Sequence, residues 1–181
     1  CAPKKVERIG VVGAGAQGRL QLEWLAKVTA CRKVLVWGLG TAEVEQYERD
    51  MEQRGFSVET TLDAAAILKG CNLIVTATPS KTPLLWAADL RPGTHITAVG
   101  SDTPDKQELD SAILAKADLV VADSISQCRL RGEIHKALDA GAIEEGRIVE
   151  LGNIITGRAD GRTSDDPITV VDLTGVAVQD I

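Results

Sequence analysis

Residues 8–25 have the sequence RIGVVGAGAQGRLQLEWL, in which an apolar run is followed by three glycines at positions 13, 15 and 18. The run predicts a buried strand over residues 6–12. A helix is predicted to follow, because apolar residues recur at helical spacing; its buried face is predicted to contain Leu20, Trp24, Leu25 and Val28. Strand, glycine turn and helix in this order predict one βα unit of a parallel sheet.

The same alternation continues along the chain. Further strands are predicted at residues 34–37, 56–58, 73–77, 95–99, 119–122 and 168–172. Between them, Thr41 and Thr61 are predicted to cap helices, and Gly70 is predicted to end one in the left-handed conformation. Helices are also predicted at 132–138 and 149–155, and a polar surface loop at 157–167. The predicted fold is a single α/β domain over residues 1–181 with a doubly wound, mostly parallel sheet.

The three glycines form the pattern GxGxxG between a strand and a helix, which is the context of a dinucleotide-binding Rossmann fold. Gly13 allows a tight turn, Gly15 lets a pyrophosphate approach the backbone, and Gly18 lets the helix pack closely on the strand. The free N–H groups of Ala16 and Gln17 are then predicted to bind the phosphates. The alternative is a glycine turn that serves packing only.

The end of the second strand is where an acidic residue binds the adenosine ribose, or an arginine binds a 2′-phosphate. Here the sequence is Trp37, Gly38, Leu39, Gly40 and Thr41, which contains neither. Both NAD and NADP therefore remain candidate cofactors. Gly38 and Thr41 are predicted to lie beside the cofactor, while Trp37 either packs against the adenine or belongs to the core.

Two more loops are predicted to reach the cofactor, because ligands bind beyond the carboxyl ends of the strands. The fourth strand leads into Thr76, Ala77 and Thr78, and the fifth leads into Val99, Gly100 and Ser101. The hydroxyls of the first loop are candidates for the ribose and nicotinamide, although ordinary strand-end hydrogen bonds are the alternative. Gly100 is predicted to permit close approach of the ligand. Asp102 is predicted to transfer a proton beside the nicotinamide, or else to cap the turn before Pro104.

Composition excludes several function classes for these 181 residues. A net charge of −6 and 3% aromatic residues disfavour nucleic acids and anionic membranes as partners. No apolar stretch approaches the length of a membrane span, and four scattered cysteines with two histidines form no zinc pattern, so no metal site is predicted. The cysteines are expected to be reduced, in a cytoplasmic protein. The sequence contains neither a GxSxG elbow nor a GxxxxGK[ST] loop.

Three strings together resemble the ornithine cyclodeaminase and mu-crystallin family. They are RIGVVGAGAQGRLQLEWL (8–25), LRPGTHITAVGSDTPDKQELD (90–110) and ELGNIITGRADGRTSDDPITVVDLTGVAVQDI (150–181). The resemblance implies an NAD(P)-dependent oxidoreductase that acts by hydride transfer on an L-amino acid or cyclic imine, with Asp102 as general acid/base. Where many relatives have DSVG this chain has DLTG, residues 172–175, so Thr174 and Gly175 are expected near the nicotinamide.

The resemblance covers only the cofactor domain of the family. The N-terminal half that binds substrate and forms dimers in the family is expected to be absent from these residues, so the isolated chain is expected to be inactive, and a homo-oligomer remains open. Two alternatives come from other function classes. One is a mu-crystallin-like protein that binds a dinucleotide and a small ligand without turnover, and the other is a stand-alone dinucleotide sensor.

Overall fold

The computed structural model describes residues 1–175, and the predicted last apolar stretch after Gly175 lies outside the described residues. Within them the chain forms one sheet of eight parallel strands with helices on both faces. The strands are β1 Ile9–Val12, β2 Lys33–Trp37, β3 Ser57–Thr61, β4 Leu73–Thr76, β5 His95–Ala98, β6 Leu119–Ala122, β7 Ile148–Glu150 and β8 Thr169–Asp172. The α-helices are α1 Ala16–Leu25, α2 Thr41–Glu52, α3 Ala65–Gly70, α4 Ser111–Lys116, α5 Ile125–Cys128, α6 Gly132–Asp139 and α7 Leu151–Ile155.

The strand order is β3-β2-β1-β4-β5-β8-β6-β7, which confirms the predicted doubly wound fold. From β1 the chain moves outward through β2 and β3, then returns to place β4 on the other side of β1. This reversal is the topological switch point, where ligands bind in sheets of this class. None of the helices within residues 1–175 has the length and hydropathy to cross a bilayer.

Two apolar clusters cover the two faces of the sheet. One joins α1 and α2 to the sheet through Leu22, Val44 and Tyr47, and the other joins α3, α4 and α6 through residues such as Ile67 and Ile113. The central strands are apolar at nearly every position because both of their faces are covered.

The predicted buried face of α1 is wrong. Leu20, Trp24 and Val28 are 48%, 60% and 79% exposed, whereas Gly18 and Leu22 face the sheet. The spacing of apolar residues does not reveal the buried side of α1, because one of the residues at the close helix–sheet contact is a glycine, which adds no hydrophobicity. Leu25 packs partly against the core, as predicted.

Several element boundaries also differ from the predictions. Gly40, not Thr41, occupies the N-cap of α2, and the hydroxyl of Thr61 accepts the N–H of Asp63 ahead of α3 instead of capping the helix. Gly70 ends α3 without the positive φ predicted for it. The stretch predicted as a helix from 149 begins as the short edge strand β7, because its backbone pairs with β6 before the chain turns into α7.

Candidate functional site

The candidate site lies where β1, β4 and β5 end. Val12 pairs with Trp37 on one side and with Thr76 on the other, and Thr76 pairs with Ala98. Because the strands are parallel and in register, the loops that follow them leave the sheet at the same edge. These loops surround two adjoining clefts.

The glycine loop after β1 contains glycines of two kinds. Gly13 has φ +112°, and a Cβ there would lie 2.6 Å from the carbonyl oxygen of Ala77; a Cβ on Gly18 would lie 2.1 Å from the carbonyl oxygen of Gly13. Packing within the protein therefore requires both. A Cβ on Gly15 would meet nothing within 4 Å. Packing within the protein therefore does not require glycine at position 15. Its missing side chain leaves the N-terminus of α1 open to the solvent.

The N-terminus of α1 has no side-chain cap in the described part of the chain. Gly15 occupies the N-cap position, and no acidic residue lies in the first turn. The first N–H groups of a helix have no intrahelical partner, so those of Ala16 and Gln17 could bind an anion; their binding of phosphates stays a prediction. The helix dipole favours negative charge at the same place.

The larger cleft has a volume of about 760 Å³ and the smaller one about 350 Å³. Ala77, Thr78 and Pro79 line both, so the clefts are continuous with each other. The larger lies over the ends of β4, β5 and β8. The smaller lies over the ends of β1 and β2. Together they offer an elongated groove that crosses the switch point at Gly15.

Most of the predicted site residues line this groove. Those in the larger cleft are Gln17, Ala77, Thr78, Val99, Gly100, Asp102, Thr174 and Gly175. Those in the smaller cleft are Gly13, Gly15, Trp37, Gly38, Ala77 and Thr78. Five predicted residues line neither cleft, namely Ala16, Gly18, Thr41, Thr76 and Ser101. Of these, Thr76 and Ser101 are buried, so their side chains do not face the groove.

The buried carboxylate of Glu108 holds the ends of β4 and β5 together. It accepts the hydroxyl of Thr76 at 2.7 Å, the N–H and hydroxyl of Thr78 at 2.6 and 2.8 Å, and the N–H of Gly100 at 3.1 Å. The threonine hydroxyls therefore make strand-end hydrogen bonds, the alternative left open by the sequence. Burial raises the pKa of Glu108, while these hydrogen bonds lower it.

Gly100 has a different role from the one predicted. A Cβ there would lie 2.3 Å from the carbonyl oxygen of Thr78 and 2.7 Å from the carboxyl carbon of Glu108. The glycine is thus required by the contact between the two strand ends, and not by the approach of a ligand to its missing side chain. It still lines the larger cleft through its backbone.

More carboxylates lie behind this contact. Glu133 accepts the N–H groups of Glu108 and Leu109 at 2.7 and 3.0 Å, and Asp172 accepts the N–H of Ile134 at 2.8 Å. Burial raises the pKa of Glu133 to about 7 and raises the pKa of Asp172 well above its usual value. The loop that carries Asp102 is therefore anchored at its far end by groups wholly inside the protein.

Thr174 is fixed at the other wall of the larger cleft. Its N–H is donated to Asp123 at 2.8 Å, the N–H of Gly175 is donated to the same carboxylate at 3.1 Å, and its hydroxyl accepts from Gln127 at 2.7 Å. The hydroxyl of Thr174, a residue expected near the nicotinamide, is thus engaged with protein groups. The nearby thiol of Cys128 is buried, and burial raises its pKa, so it is an unreactive thiol.

Asp102 projects from the loop after β5 into the larger cleft. Its carboxylate accepts a hydrogen bond from Lys106 Nζ at 2.6 Å, and its side chain is 55% exposed. Among the described residues no backbone N–H is bonded to this carboxylate. The structure therefore gives no support to the alternative in which Asp102 caps the turn before Pro104. Lys106 also lines the cleft, so an acid and an amine stand side by side there.

The side chains whose roles depend on tertiary contacts are not evident from the sequence. Glu108 lies between polar and apolar residues in QELD and carries no sign of burial in the sequence. The pairing of Lys106 with Asp102 has no signal in the sequence, because a separation of four residues brings side chains together on a helix, and these residues lie in a loop. Trp37 is buried, 7% exposed, and donates its indole N–H to the carbonyl of Leu62 at 3.1 Å, which fits the core role more than a free stacking surface.

Fold, glycine loop and groove define a Rossmann-type domain, and the comparisons with known proteins agree. The sequence model of the ornithine cyclodeaminase/mu-crystallin family matches residues 1–181. A putative dehydrogenase of Rhizobium meliloti is 44% identical over 172 residues, which cover 94% of this chain and 52% of that protein. The chain therefore belongs to the ornithine cyclodeaminase/mu-crystallin family.

Several solved structures are similar over 99% of this chain, including the following two. An archaeal alanine dehydrogenase dimer with bound NAD matches with a TM-score of 0.92 and 37% identity, over 55% of its own chain. The Δ1-pyrroline-2-carboxylate reductase of Thermococcus litoralis, in complex with NADH and L-proline, matches with a TM-score of 0.92 and 29% identity, over 56% of its chain. The present chain spans about half the length of the curated relatives it matches.

Proposed function

We propose that residues 1–181 are the NAD(P)-binding domain of an oxidoreductase that acts on an L-amino acid or a cyclic imine by hydride transfer. The observation that carries this proposal is the open space at Gly15. Two glycines of the loop are explained by packing, whereas Gly15 leaves an uncapped helix N-terminus accessible from outside. A pyrophosphate is the group that such a site fits.

The groove fits the two ends of a dinucleotide on either side of this point. The smaller cleft, beside Trp37 and Gly38, would hold the adenosine, and the larger cleft, beside Thr78, Val99 and Thr174, would hold the nicotinamide. When bound, the nicotinamide supplies hydride acceptance or donation. The protein supplies a support for it, because the buried carboxylate of Glu108 fixes one wall of the larger cleft and the partly buried carboxylate of Asp123 fixes the other. This assignment is supported by the two similar structures described above, one with bound NAD and one in complex with NADH.

Asp102 is proposed as the general acid/base. Asp102 lies in the larger cleft with an exposed carboxylate. Lys106 orients that carboxylate by a hydrogen bond, and no backbone N–H within residues 1–175 donates to it. A carboxylate held in this way can accept a proton from an amine or return one to an imine. Lys106 is proposed as its positioning partner, a residue that the family resemblance did not supply.

We also propose that the substrate-binding half lies outside these residues, in a longer, cytoplasmic protein. The relatives are about twice as long as the matched region, which supports this division. Catalysis needs the reacting carbon to be held against the nicotinamide. Purified residues 1–181 are therefore expected to bind NADH or NADPH but to show no turnover with ornithine, alanine or a cyclic ketimine.

The test compares dinucleotide binding with turnover in the same preparation. Calorimetry with NADH and NADPH should show one site per chain. Absorbance at the nicotinamide band should stay constant with NAD⁺ and an amino acid, and with NADH and a cyclic imine. Ornithine with NAD⁺ should release no ammonia, which is measured separately because its cyclodeamination leaves the cofactor oxidised. Robust turnover would contradict the division into two halves. Absence of dinucleotide binding would contradict the proposed function itself. Binding without turnover in a full-length protein would instead favour the mu-crystallin-like alternative.

A further inference from the structure

The adenosine end of the groove contains an acid that the strand itself does not provide. In NAD-binding folds of this class an acidic residue near the end of β2 accepts hydrogen bonds from the adenosine ribose. Residues 37–41 contain no acidic and no basic side chain. In the structure a carboxylate nevertheless reaches this place, because Glu43, in the first turn of α2, lines the smaller cleft beside Gly38.

The contact between Gly38 and Glu43 is close. A Cβ built on Gly38 would lie 3.1 Å from Oε2 of Glu43 and 2.8 Å from Cγ1 of Val44. The carboxylate thus occupies space next to the position where a side chain of residue 38 would begin. Any larger residue at 38 would displace either the carboxylate or the helix behind it. Gly38 and Glu43 therefore act together to place an acid at the end of β2.

The charge of the smaller cleft has one sign. Among the described residues that line it, Glu43 is the only ionisable one, and no lysine or arginine is present. Within the same part of the chain Glu43 forms no ion pair that would neutralise it. Leu39, which extends from the same loop, is 85% exposed and offers no hydrogen bond. A ligand with an added phosphate would meet a carboxylate here and no cation.

We infer that Glu43 makes this site selective for NAD over NADP. Its carboxylate accepts hydrogen bonds from the ribose hydroxyls of NAD, and it repels the 2′-phosphate of NADP, which would approach it without a compensating cation. This inference rests on the proposed function, since it concerns the adenosine end of the same dinucleotide. It assigns cofactor specificity to a helix residue six positions beyond Trp37, the last residue of β2.

The test measures NADH and NADPH binding by calorimetry or by nicotinamide fluorescence for the unmodified chain, Glu43→Gln and Glu45→Gln. Glu45 is an exposed glutamate of the same helix that does not line the cleft, so it controls for the change in net charge. The unmodified chain should bind NADH at least about tenfold more tightly than NADPH, and Glu43→Gln should reduce that ratio by about tenfold or more. Glu45→Gln should leave the ratio unchanged.

A second variant changes the surroundings of Glu43 instead of its charge. Gly38→Ala should weaken NADH binding, because its Cβ crowds both the Glu43 carboxylate and Val44 behind it. The melting temperatures of all variants, recorded beside the affinities, separate a loss of binding from a loss of folding. Equal affinity for both dinucleotides in the unmodified chain, or a ratio that Glu43→Gln does not alter, would overturn the inference alone. If neither dinucleotide binds, the proposed function fails and the inference fails with it.

Discussion

On the side of the groove formed by the glycine loop, the surface that faces a ligand is backbone. Its shape is determined by the glycines, which have no side chain. On the opposite side, at the ends of β4 and β5, the surface is held in place by side chains, with one buried carboxylate accepting four hydrogen bonds. The first side is determined by a short local stretch of sequence, since its three glycines lie within six residues. The second depends on residues 30 positions apart. The contrast shows why one side could be predicted and the other could not.

The largest effect is expected at Gly18, on the backbone side. Gly18→Ala places a Cβ 2.1 Å from the carbonyl oxygen of Gly13, so we expect a loss of about 3 kcal/mol or more of unfolding free energy, or no folded protein. Gly15→Ala is the matched control, because its Cβ meets nothing within 4 Å. Urea unfolding of both variants checks this. Equal destabilisation by the two changes would remove the distinction between packing glycines and the open glycine.

On the side-chain side, Glu108→Gln should cost about 3 kcal/mol of unfolding free energy. Each carboxylate oxygen accepts one threonine hydroxyl and one backbone N–H. An amide nitrogen cannot accept, so one backbone N–H loses its acceptor while the threonine hydroxyl can turn to accept from the amide. The remaining bonds also lose the charge of the carboxylate, and hydrogen bonds to charged groups contribute about 1.5 to 3 kcal/mol each. Glu144→Gln, at an exposed position, serves as the control and should change stability little. A Glu108→Gln protein as stable as the unmodified chain would show that the carboxylate does not hold the strand ends.

A substitution of Asp102 tests whether the side of the groove at the ends of β4 and β5 also takes part in catalysis. In the proposed longer protein, Asp102→Asn should lower kcat by about a hundredfold, since general acid/base groups contribute about 10²- to 10⁴-fold, and should leave melting and dinucleotide affinity unchanged. Asp105→Asn is the control, because Asp105 is also ion-paired in this loop but does not line the cleft. An Asp102→Asn protein that melts earlier and turns over normally would assign Asp102 to structure.

A smaller effect is expected from the buried carboxylate of Glu133. Its pKa is raised from 4.5 to about 7 by burial, so the folded state holds a proton between these values that the unfolded state releases. Its contribution to stability therefore falls as pH rises from about 5 to 7, by up to about 1.4 kcal/mol per pH unit. His95 acts in the opposite direction up to pH 6.5, because burial lowers its pKa to about 3.

The two contributions are separated by comparison with a variant. The difference in unfolding free energy between the unmodified chain and Glu133→Gln should fall between pH 5 and 7, since His95 is common to both. Urea titrations at half-unit pH steps measure this difference. A difference that is constant over this interval would show that Glu133 is already ionised in the folded protein.

The fold and the glycine loop could be predicted because they depend on local patterns. Alternating apolar runs and GxGxxG place β1 and α1 without knowledge of any distant residue. The order β3-β2-β1-β4-β5 is that of the class, whereas the position of β8 between β5 and β6 is not indicated by any local pattern. The exposed stripe of Leu20 and Trp24 shows the limit of the same method, because helical spacing identifies a face without showing which face the sheet covers. Glu43 and Glu108 became visible only through their contacts with Gly38 and Thr78.

The most direct test of the central claim is calorimetric titration of residues 1–181 with NADH, repeated with Gly15→Val. The unmodified chain should bind one NADH, and Gly15→Val should melt at the same temperature while losing binding by at least about a hundredfold, because its side chain fills the space left open at the N-terminus of α1. No heat of binding at millimolar NADH, or equal affinity in the Gly15→Val chain, would contradict the claim that this groove binds a dinucleotide.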